Sequence, residues 1–281
     1  MMGVWPDRED GWDFLAKKAV FFDIDGTLIN IMKKRPQMTE RTRQAIRALR
    51  RAGHRTFIAS GRPLVYLDPE LTEQGLFDGY VLMNGAAVFV DGACVYQQPL
   101  PRARVAEIVA LCEAHGVEYV LQGARQVYLK SEFHGLADFY RSIGVDVTRF
   151  VRSFQTDAVD ACKLEFLAFE EEGGGVFGRL LAMPGLTGLM DPYHRKNMEL
   201  YASDISKGSG ILKALAYLGI PVRDSIAFGD GLNDIEMMQT VGLGIAMGNA
   251  QPEVKAVARY EVPSVDEDGV AWGIEHLILR E

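Results

Sequence analysis

Two aspartates with one isoleucine between them end the apolar part of the stretch AVFFDIDGTLIN at residues 19–30. If the strand stays extended, the side chains of Asp23 and Asp25 leave the same face of a sheet, because side chains alternate between the two faces. Two carboxylates held close together repel unless a cation lies between them or one of them carries a proton. The pair therefore predicts a bound cation, a protonated aspartate, or both.

Two further acids, Asp230 and Asp234, lie in the segment GDGLND, and Lys207 is the lysine that accompanies these segments. Four acids with one lysine favour a hard divalent cation. Oxygen ligands without histidine or cysteine are typical of Mg²⁺, which binds through one or two carboxylates, waters and substrate phosphate. Alternatively, Asp230 and Asp234 cap the helix that follows them, and Lys207 lies at the surface at the start of its helix.

A site of carboxylates, Mg²⁺ and one lysine suits phosphoryl transfer, in which cations neutralise the charge on the transferring group. In this interpretation Asp23 attacks phosphorus, and Asp25 protonates the leaving oxygen and later activates water. Backbone donors at Gly26 and the hydroxyls of Thr27 and Ser60 would bind the phosphoryl oxygens.

The elements that must position these residues alternate between strands and helices. We predict strands at 19–24, 55–60 and 79–83 with a helix at 39–52, which favours a parallel, right-handed, doubly wound α/β sheet. The same pattern returns from Met198, with a strand at 198–201, a helix from Lys207 and a strand at 225–228. In such sheets ligands bind at the carboxyl ends of the strands, where these polar residues fall.

The middle of the chain has a different pattern. Residues 86–96 contain two apolar runs around Asp91-Gly92, which predict a hairpin, and mixed helices and strands follow up to 175. We therefore predict an α+β domain at 86–195 inserted into a core formed by 1–85 and 196–281, with 1–17 as an N-terminal extension.

Composition is that of a globular protein, with 48% hydrophobic and 24% charged residues. A formal charge of −8 argues against a nucleic-acid or anionic-membrane partner. Three cysteines without a C-x-x-C pair suggest neither a disulfide framework nor a zinc site. No apolar run approaches the roughly 18 residues that span a bilayer, and no secretory signal is visible, so we expect a cytoplasmic protein.

The segments FDIDGTL, ASGRP, DISKGSGI and GDGLND, in this order, resemble the four motifs of the haloacid dehalogenase (HAD) superfamily. NGA at 84–86, GNA at 248–250 and EDGV at 267–270 resemble its Cof-type subfamily, which carries an α/β cap between the second and third motifs. The resemblance extends from about Lys18 to the C-terminus. It implies a Rossmann-like, doubly wound parallel-sheet core with an inserted cap domain that closes over it and supplies specificity.

Carried over position by position, the resemblance implies the following roles. Asp23 is the nucleophile and Asp25 the general acid/base, and Mg²⁺ is held by Asp23, the Asp25 carbonyl and Asp230, with Asp234 further out. The phosphate-binding residues are Gly26, Thr27, Ser60, Gly61, Lys207 and Asn233.

For the residues that contact the substrate, the sequence offers candidates, most of them with an alternative role. Candidates are Arg62, Asn84 and Asn197, together with the basic segment Lys33–Arg35 and His194. For Arg62 a surface ion pair is an equal alternative. For His194 and Asn197 a solvated connection between the two domains is the alternative, and for the basic segment a solvated loop is favoured.

The sequence thus predicts a Mg²⁺-dependent phosphatase that acts on a small phosphorylated metabolite, such as a sugar phosphate or a cofactor phosphate, through an aspartyl-phosphate. The alternatives are a phosphomutase on the same fold and a phosphate-binding regulatory module without turnover. The proton donor expected at Asp25 argues against the binding module. The pattern does not specify the metabolite or the oligomeric state.

Overall fold

A computed structural model describes residues 16–30, 33, 37–72, 75–191 and 195–279. The predicted N-terminal extension up to residue 15, Lys34, Arg35 and His194 lie outside the described residues. The described chain divides into two compact units. The first takes residues up to Gly61, Asp68–Tyr96 and those from Ser206 onward, and the second takes Arg62–Leu67 and Gln97–Ile205.

The first unit is built on an eight-stranded sheet with the order β13-β12-β11-β1-β2-β3-β4-β5. Its strands are β1 (Ala19–Phe22), β2 (Arg55–Ala59), β3 (Gly79–Leu82), β4 (Ala87–Val90), β5 (Ala93–Gln97), β11 (Ser225–Gly229), β12 (Leu243–Ala246) and β13 (Tyr260–Glu261). The neighbours from β13 to β3 pair in parallel, and β4 pairs antiparallel with β3. The predicted doubly wound α/β core is confirmed.

Strand β1 lies at the centre, where the chain order reverses. From β1 the chain winds outward through β2 and β3, and it later returns to β11 on the other side of β1. Every residue of β1 is buried, in register with Ser225–Phe228 of β11. This reversal point is where open α/β sheets bind their ligands.

Within the described residues, five α-helices belong to this unit. They are α1 (Glu40–Arg51), α5 (Lys207–Leu218), α6 (Ile235–Thr240), α7 (Pro252–Val257) and α8 (Gly269–Gly273), which continues as a π-helical segment at Ile274–Leu279. Helix α1 begins after Thr39, whose side chain accepts from the Thr42 amide, and buries Ala45, Ile46 and Leu49. These are the residues whose helical spacing predicted the helix.

The second unit is an antiparallel five-stranded sheet with three helices. Its strand order is β7-β6-β8-β10-β9. Its elements are α2 (Arg102–Ala114), β6 (Glu118–Gln122), β7 (Val127–Leu129), α3 (His134–Ser142), β8 (Lys163–Leu167), α4 (Val176–Leu181), β9 (Leu186–Met190) and β10 (Asn197–Ala202). An α+β unit inserted between the second and third motifs was expected, and this unit has that architecture.

Two elements lie in the other unit from the one predicted. The hairpin around Asp91 and Gly92 exists, with both residues at positive φ, but its strands β4 and β5 extend the first sheet because β4 pairs with β3. Strand β10 pairs with β8 and β9 in the second sheet instead of returning to the core. The predicted boundaries at 86 and 196 therefore differ from the observed division at 97 and 206.

In the part of the chain that the structure describes, no helix combines the length and the apolar character needed to span a membrane.

Candidate active site

The central strands β1 and β11 place the first acids of the site. Asp23 follows β1 directly, and its backbone amide donates to the Phe228 carbonyl of β11 at 3.0 Å. Asp230 follows β11 directly. Because the two strands are parallel and adjacent, both aspartates leave the sheet at the same edge, as predicted from the sequence.

Helix α5 delivers the cation of the site. Ser206 and Ser209 cap the helix reciprocally, each side chain accepting a hydrogen bond from the other residue's amide, and Lys207 is the first helical residue. Lys207 is only 1% exposed. Its Nζ donates to Asp23 Oδ1 at 2.5 Å and to Asp234 Oδ1 at 2.6 Å. The surface alternative for this lysine is therefore wrong.

Close packing of the helix start against the first sheet fixes Lys207 in place. A side-chain carbon at Gly210 would lie 2.6 Å from Val81 Cγ1 and 2.7 Å from Gly85 Cα. Only a glycine permits this approach, since real Cβ contacts are never that short.

Asp234 is fully buried and accepts hydrogen bonds on both carboxylate oxygens from donors of the protein. Its Oδ1 accepts from Lys207, and its Oδ2 accepts the backbone amides of Asp230 and Gly231, both at 2.9 Å. A carboxylate held by three protein donors is suited to positioning its neighbours. This arrangement favours the outer position that the sequence suggested for Asp234.

Asp230 is partly buried and is bound on both oxygens. The Thr27 hydroxyl donates to Oδ1 at 3.2 Å, and the Asn249 amide donates to Oδ2 at 3.2 Å. Burial, together with the nearby charge of Asp234, raises the pKa of Asp230 to about 7, although the Thr27 hydroxyl and the charge of Lys207 act in the opposite direction. Neutral donors leave this carboxylate with free lone pairs for a cation.

Burial also raises the pKa of Asp23 well above its ordinary range, and the charges of Asp234 and Asp25 add to the effect. Lys207 opposes the shift by ion pairing. A divalent cation would favour the ionised form in the same way.

The donor set fits such a cation. Asp23, Asp230 and Asp234 each offer a carboxylate oxygen, and these oxygens lie within 4.8 Å of one another. Carboxylate oxygens that lie this close together, without histidine or cysteine, suit Mg²⁺ better than a transition metal.

Asp25 lies in a turn and not on an extended strand. Strand β1 ends at Phe22, and Asp25 forms a bridge with Ile29. The extended-strand argument therefore does not reach Asp25. Its side chain is exposed, whereas Asp23 is buried, yet its charge is close enough to raise the pKa values of Asp23 and Asp230. The two aspartates thus occupy different environments at one edge.

Gly26 brings the backbone of this turn onto Asp230. It has a φ of +86°, and a Cβ built on it would collide with the Asp230 carboxylate. Thr27 follows it and is buried. Thr27, predicted to bind phosphate, donates its hydroxyl to Asp230 here, so at least part of its role is to orient that acid.

Ser60 and Gly61 follow β2 at the same edge, and the turn after β3 lies beside them. The backbone amide of Asn84 donates to the Ser60 carbonyl at 3.1 Å. The side chain of Asn84 also lies close to Asn233, whose Nδ2 is 3.4 Å from Asn84 Oδ1. Asn84 is 2% exposed and has a φ of 56° beside Met83 at 51°. Left-handed residues of this kind are strained and are retained where surroundings fix them. Asn84 thus lies beside Ser60 and Asn233, and its predicted contact with substrate stays a prediction.

The other substrate candidates lie in the second unit. Arg62 belongs to the short segment Arg62–Leu67, and Asn197 begins β10. Their predicted contacts with substrate stay predictions. Lys33, the described member of the basic segment, is largely exposed and pairs with Asp266 at 2.5 Å.

Asn249 was not predicted as a site residue, although the motif GNA that contains it was recognised. It donates to Asp230 and to the Gly26 carbonyl. The motif was the available signal, but a side chain that bridges distant segments shows its role only in the folded chain.

Comparison with known proteins agrees with this site. Residues 20–274 match the model of the haloacid dehalogenase-like hydrolases. YkrA of Bacillus subtilis (strain 168), provisionally named a phosphatase, is 31% identical over 278 residues, which cover 94% of this chain and 99% of the relative.

A second relative from the same organism, the 5-amino-6-(5-phospho-D-ribitylamino)uracil phosphatase YitU, is 29% identical and covers 90% of this chain and 94% of its own. The solved structure of the HAD subclass IIB sugar phosphatase BT4131 is 31% identical, covers 92% of this chain and 98% of its own, and has a TM-score of 0.77. The shared fold, the family match over most of the length and these phosphatase relatives show that the chain belongs to the haloacid dehalogenase-like hydrolases of the Cof type, and that it is a phosphatase.

Proposed function

We propose that this phosphatase is Mg²⁺-dependent and transfers the phosphoryl group of a small phosphorylated metabolite to Asp23 before water releases it. The observation that carries the proposal is the placement of Asp23: a buried carboxylate at the reversal point of the sheet, paired with Lys207 and facing Asp230 across the candidate metal site. The exposed Asp25 two residues later supplies an acid beside it.

In this proposal Asp23 and Asp230, with the Asp25 carbonyl, hold the cation, and Asp234 orients the group through Lys207 and the amides of the Asp230 turn. Bound Mg²⁺ would neutralise charge on the phosphoryl oxygens. Lys207 adds a second positive charge on the same side and keeps the Asp23 carboxylate oriented.

The protein's own groups then divide the reaction into two steps. Asp23 attacks phosphorus and forms an acyl phosphate, while Asp25 donates a proton to the departing oxygen. Asp25, now ionised, takes a proton from water as that water attacks phosphorus. The products are an alcohol, inorganic phosphate and the restored Asp23 carboxylate.

The names of two relatives support a substrate class for this proposal. One relative is named for a ribityl phosphate and another for sugar phosphates. The phosphates in these two names are monoesters of aliphatic polyols. We extend this class to the present chain, which fits the need for a proton donor, because an aliphatic alkoxide is a poor leaving group unless it is protonated.

The test combines Asp23→Asn with a panel of sugar, polyol and nucleotide phosphates. The wild type should release phosphate with Mg²⁺, with a preference for polyol esters, and lose activity in EDTA. Asp23→Asn should lose activity by a factor of at least about 10³ and form no hydroxylamine-sensitive phosphoenzyme.

The matched control is Asp91→Asn, the same change at an exposed aspartate in the hairpin turn, whose carboxylate pairs in the described contacts with the partly buried Arg55 at 2.7 Å. This variant should keep full activity. Phosphate release that survives in Asp23→Asn would overturn the nucleophile. Movement of phosphate between hydroxyls of one polyol, without free phosphate, would establish a mutase instead.

A further inference from the structure

The Asn249 side chain links three separate parts of the first unit. Its Nδ2 donates to the Gly26 carbonyl at 2.8 Å and to Asp230 Oδ2 at 3.2 Å, and its Oδ1 accepts the Val265 amide at 2.8 Å. The orientation of the amide follows from its partners. A carbonyl and a carboxylate only accept and a backbone N–H only donates, so a flipped amide would oppose all three.

The turn that carries Asn249 is itself held on both sides. The Met247 amide donates to the Gly229 carbonyl at 3.0 Å, the Gln251 amide donates to the Asp230 carbonyl at 3.1 Å, and the Gly248 amide donates to the Pro263 carbonyl at 3.3 Å. Asn249 therefore projects from a backbone that is bound to the same segment that carries Asp230. A side chain on such a base can fix the direction of a neighbouring carboxylate.

Among the described residues, hydrogen bonds reach both oxygens of Asp230, from Thr27 on Oδ1 and from Asn249 on Oδ2. Two donors on opposite oxygens restrict rotation about the last side-chain bond more than one donor does. Asn249 also holds the Gly26 carbonyl, in the turn that directly follows Asp25, the second aspartate of the first motif. It thus sets both sides of the candidate cation site at once.

We infer that Asn249 is a positioning residue that orients the Asp230 carboxylate and the Gly26 turn and so sets the affinity of the site for a divalent cation. The inference rests on the proposed Mg²⁺-dependent function. Residues that orient metal ligands typically change metal affinity by about 10- to 100-fold when they are removed.

The experiment measures Mg²⁺ binding to the whole protein by isothermal titration calorimetry, beside the Mg²⁺ dependence of phosphate release. Asn249→Ala should weaken Mg²⁺ binding by about 10- to 100-fold. At saturating Mg²⁺ its kcat should return to within about threefold of the wild type, with the KM for substrate unchanged, because a positioning residue for the cation acts through cation binding.

The control is Gln251→Ala, which removes a side-chain amide from the same turn and leaves the backbone hydrogen bond to Asp230 in place. It should bind Mg²⁺ like the wild type. Asn249→Ser, which is smaller yet polar, is the second variant should Asn249→Ala fold poorly, and it should also bind Mg²⁺ more weakly. Thermal unfolding of each variant separates loss of fold from loss of affinity.

Wild-type Mg²⁺ affinity in either folded Asn249 variant would overturn the inference, and so would a loss of kcat that saturating Mg²⁺ does not restore. If the wild type itself neither binds nor requires Mg²⁺, the proposed function fails first. Asp230→Asn distinguishes failure of the inference from failure of the proposed function. It should lose Mg²⁺ binding whether or not Asn249 has this role.

Discussion

Lys207 lies between two buried carboxylates, and this position defines the charge balance of the site. The sequence showed a lysine at the start of a helix, which is slightly unfavourable there because of the helix dipole. It did not show that the side chain is buried, since burial depends on Gly210 packing against Gly85 and Val81. The types of the principal residues were therefore predictable, whereas their contacts required the fold.

For two asparagines, too, the residue type was read from the sequence, and the fold was needed to find the contacts. Asn84 was predicted to contact substrate, and it is buried beside Asn233 in a left-handed turn. Asn249 was recognised only as part of a motif. An amide donates and accepts equally well, so its sequence position does not indicate which segments it joins.

Asp25→Asn tests the assignment of proton transfer at the level of one residue. The change removes the proton that a leaving alkoxide needs but leaves Asp23 and Lys207 in place. A nitrophenolate leaves as an anion, so phosphorylation by p-nitrophenyl phosphate should slow by less than about 10-fold, whereas phosphorylation by a polyol phosphate should slow by about 10²- to 10⁴-fold.

Single-turnover formation of the phosphoenzyme measures both rates without the later hydrolysis step. Equal slowing for the two esters would contradict a role of Asp25 as proton donor to the leaving group. Asp91→Asn again provides the comparison, with no change expected for either ester.

At the scale of elements, hydrophobic pattern identified most helices and strands but not their pairing. The Asp91-Gly92 turn predicted the hairpin, yet nothing local indicated that β4 would join the edge of β3. For β10 a signal was present: Met198 and Leu200 are buried while Glu199 between them is partly exposed. That alternation is typical of an antiparallel sheet, whereas the central parallel strand β1 is apolar throughout.

In the second sheet a buried lysine lies between two partly exposed glutamates, and this charge cluster tests how burial affects an ion pair. Glu165 and Glu199 lie directly opposite each other on β8 and β10, and Lys163 Nζ joins them at 2.9 and 2.5 Å. The Tyr140 hydroxyl donates to Glu165 at 2.5 Å. Although burial opposes ionisation of Glu165, Lys163 and Tyr140 hold its pKa below the ordinary value.

Lys163→Met should destabilise the protein by about 3–5 kcal/mol, because it removes the buried cation that two facing carboxylates share and leaves them to repel each other. Lys130→Met is the matched control. Lys130 pairs with Glu113 at a similar 2.6 Å but is 29% exposed, and exposed pairs contribute only about 0–1 kcal/mol. Urea unfolding followed by circular dichroism compares the two, and equal losses would contradict the role given to burial.

At the scale of the whole molecule, the sequence predicted two units, one inserted into the other, and the structure shows two. The boundaries were displaced because the hairpin and β10 were assigned by their order along the chain. The edge of the first sheet was nevertheless predicted well, since Asp23, Ser60 and Asp230 each follow a parallel strand. In a parallel sheet this position alone places residues together.

The protonation of that edge should couple the stability of the whole molecule to pH and to Mg²⁺. The pKa of Asp230 is raised by burial from 3.8 to about 7. Between these values the folded protein retains a proton that the unfolded chain has lost. Without metal, the contribution of this group to stability is therefore present at low pH and is lost as pH rises toward 7.

Mg²⁺ binds the ionised carboxylate and must displace this proton below pH 7, so its affinity should fall by up to about 10-fold for each pH unit below 7. We expect Mg²⁺ to raise the Tm relative to EDTA clearly at pH 8 and only slightly at pH 5.5, with ionic strength matched by NaCl. The side chain of Asp230→Asn is neutral at both pH values and has no carboxylate for the cation, so this variant should show little Mg²⁺ effect at either pH. An equal rise in Tm with Mg²⁺ at both pH values would contradict Asp230 as a ligand, because Mg²⁺ binding would then be independent of the ionisation of Asp230.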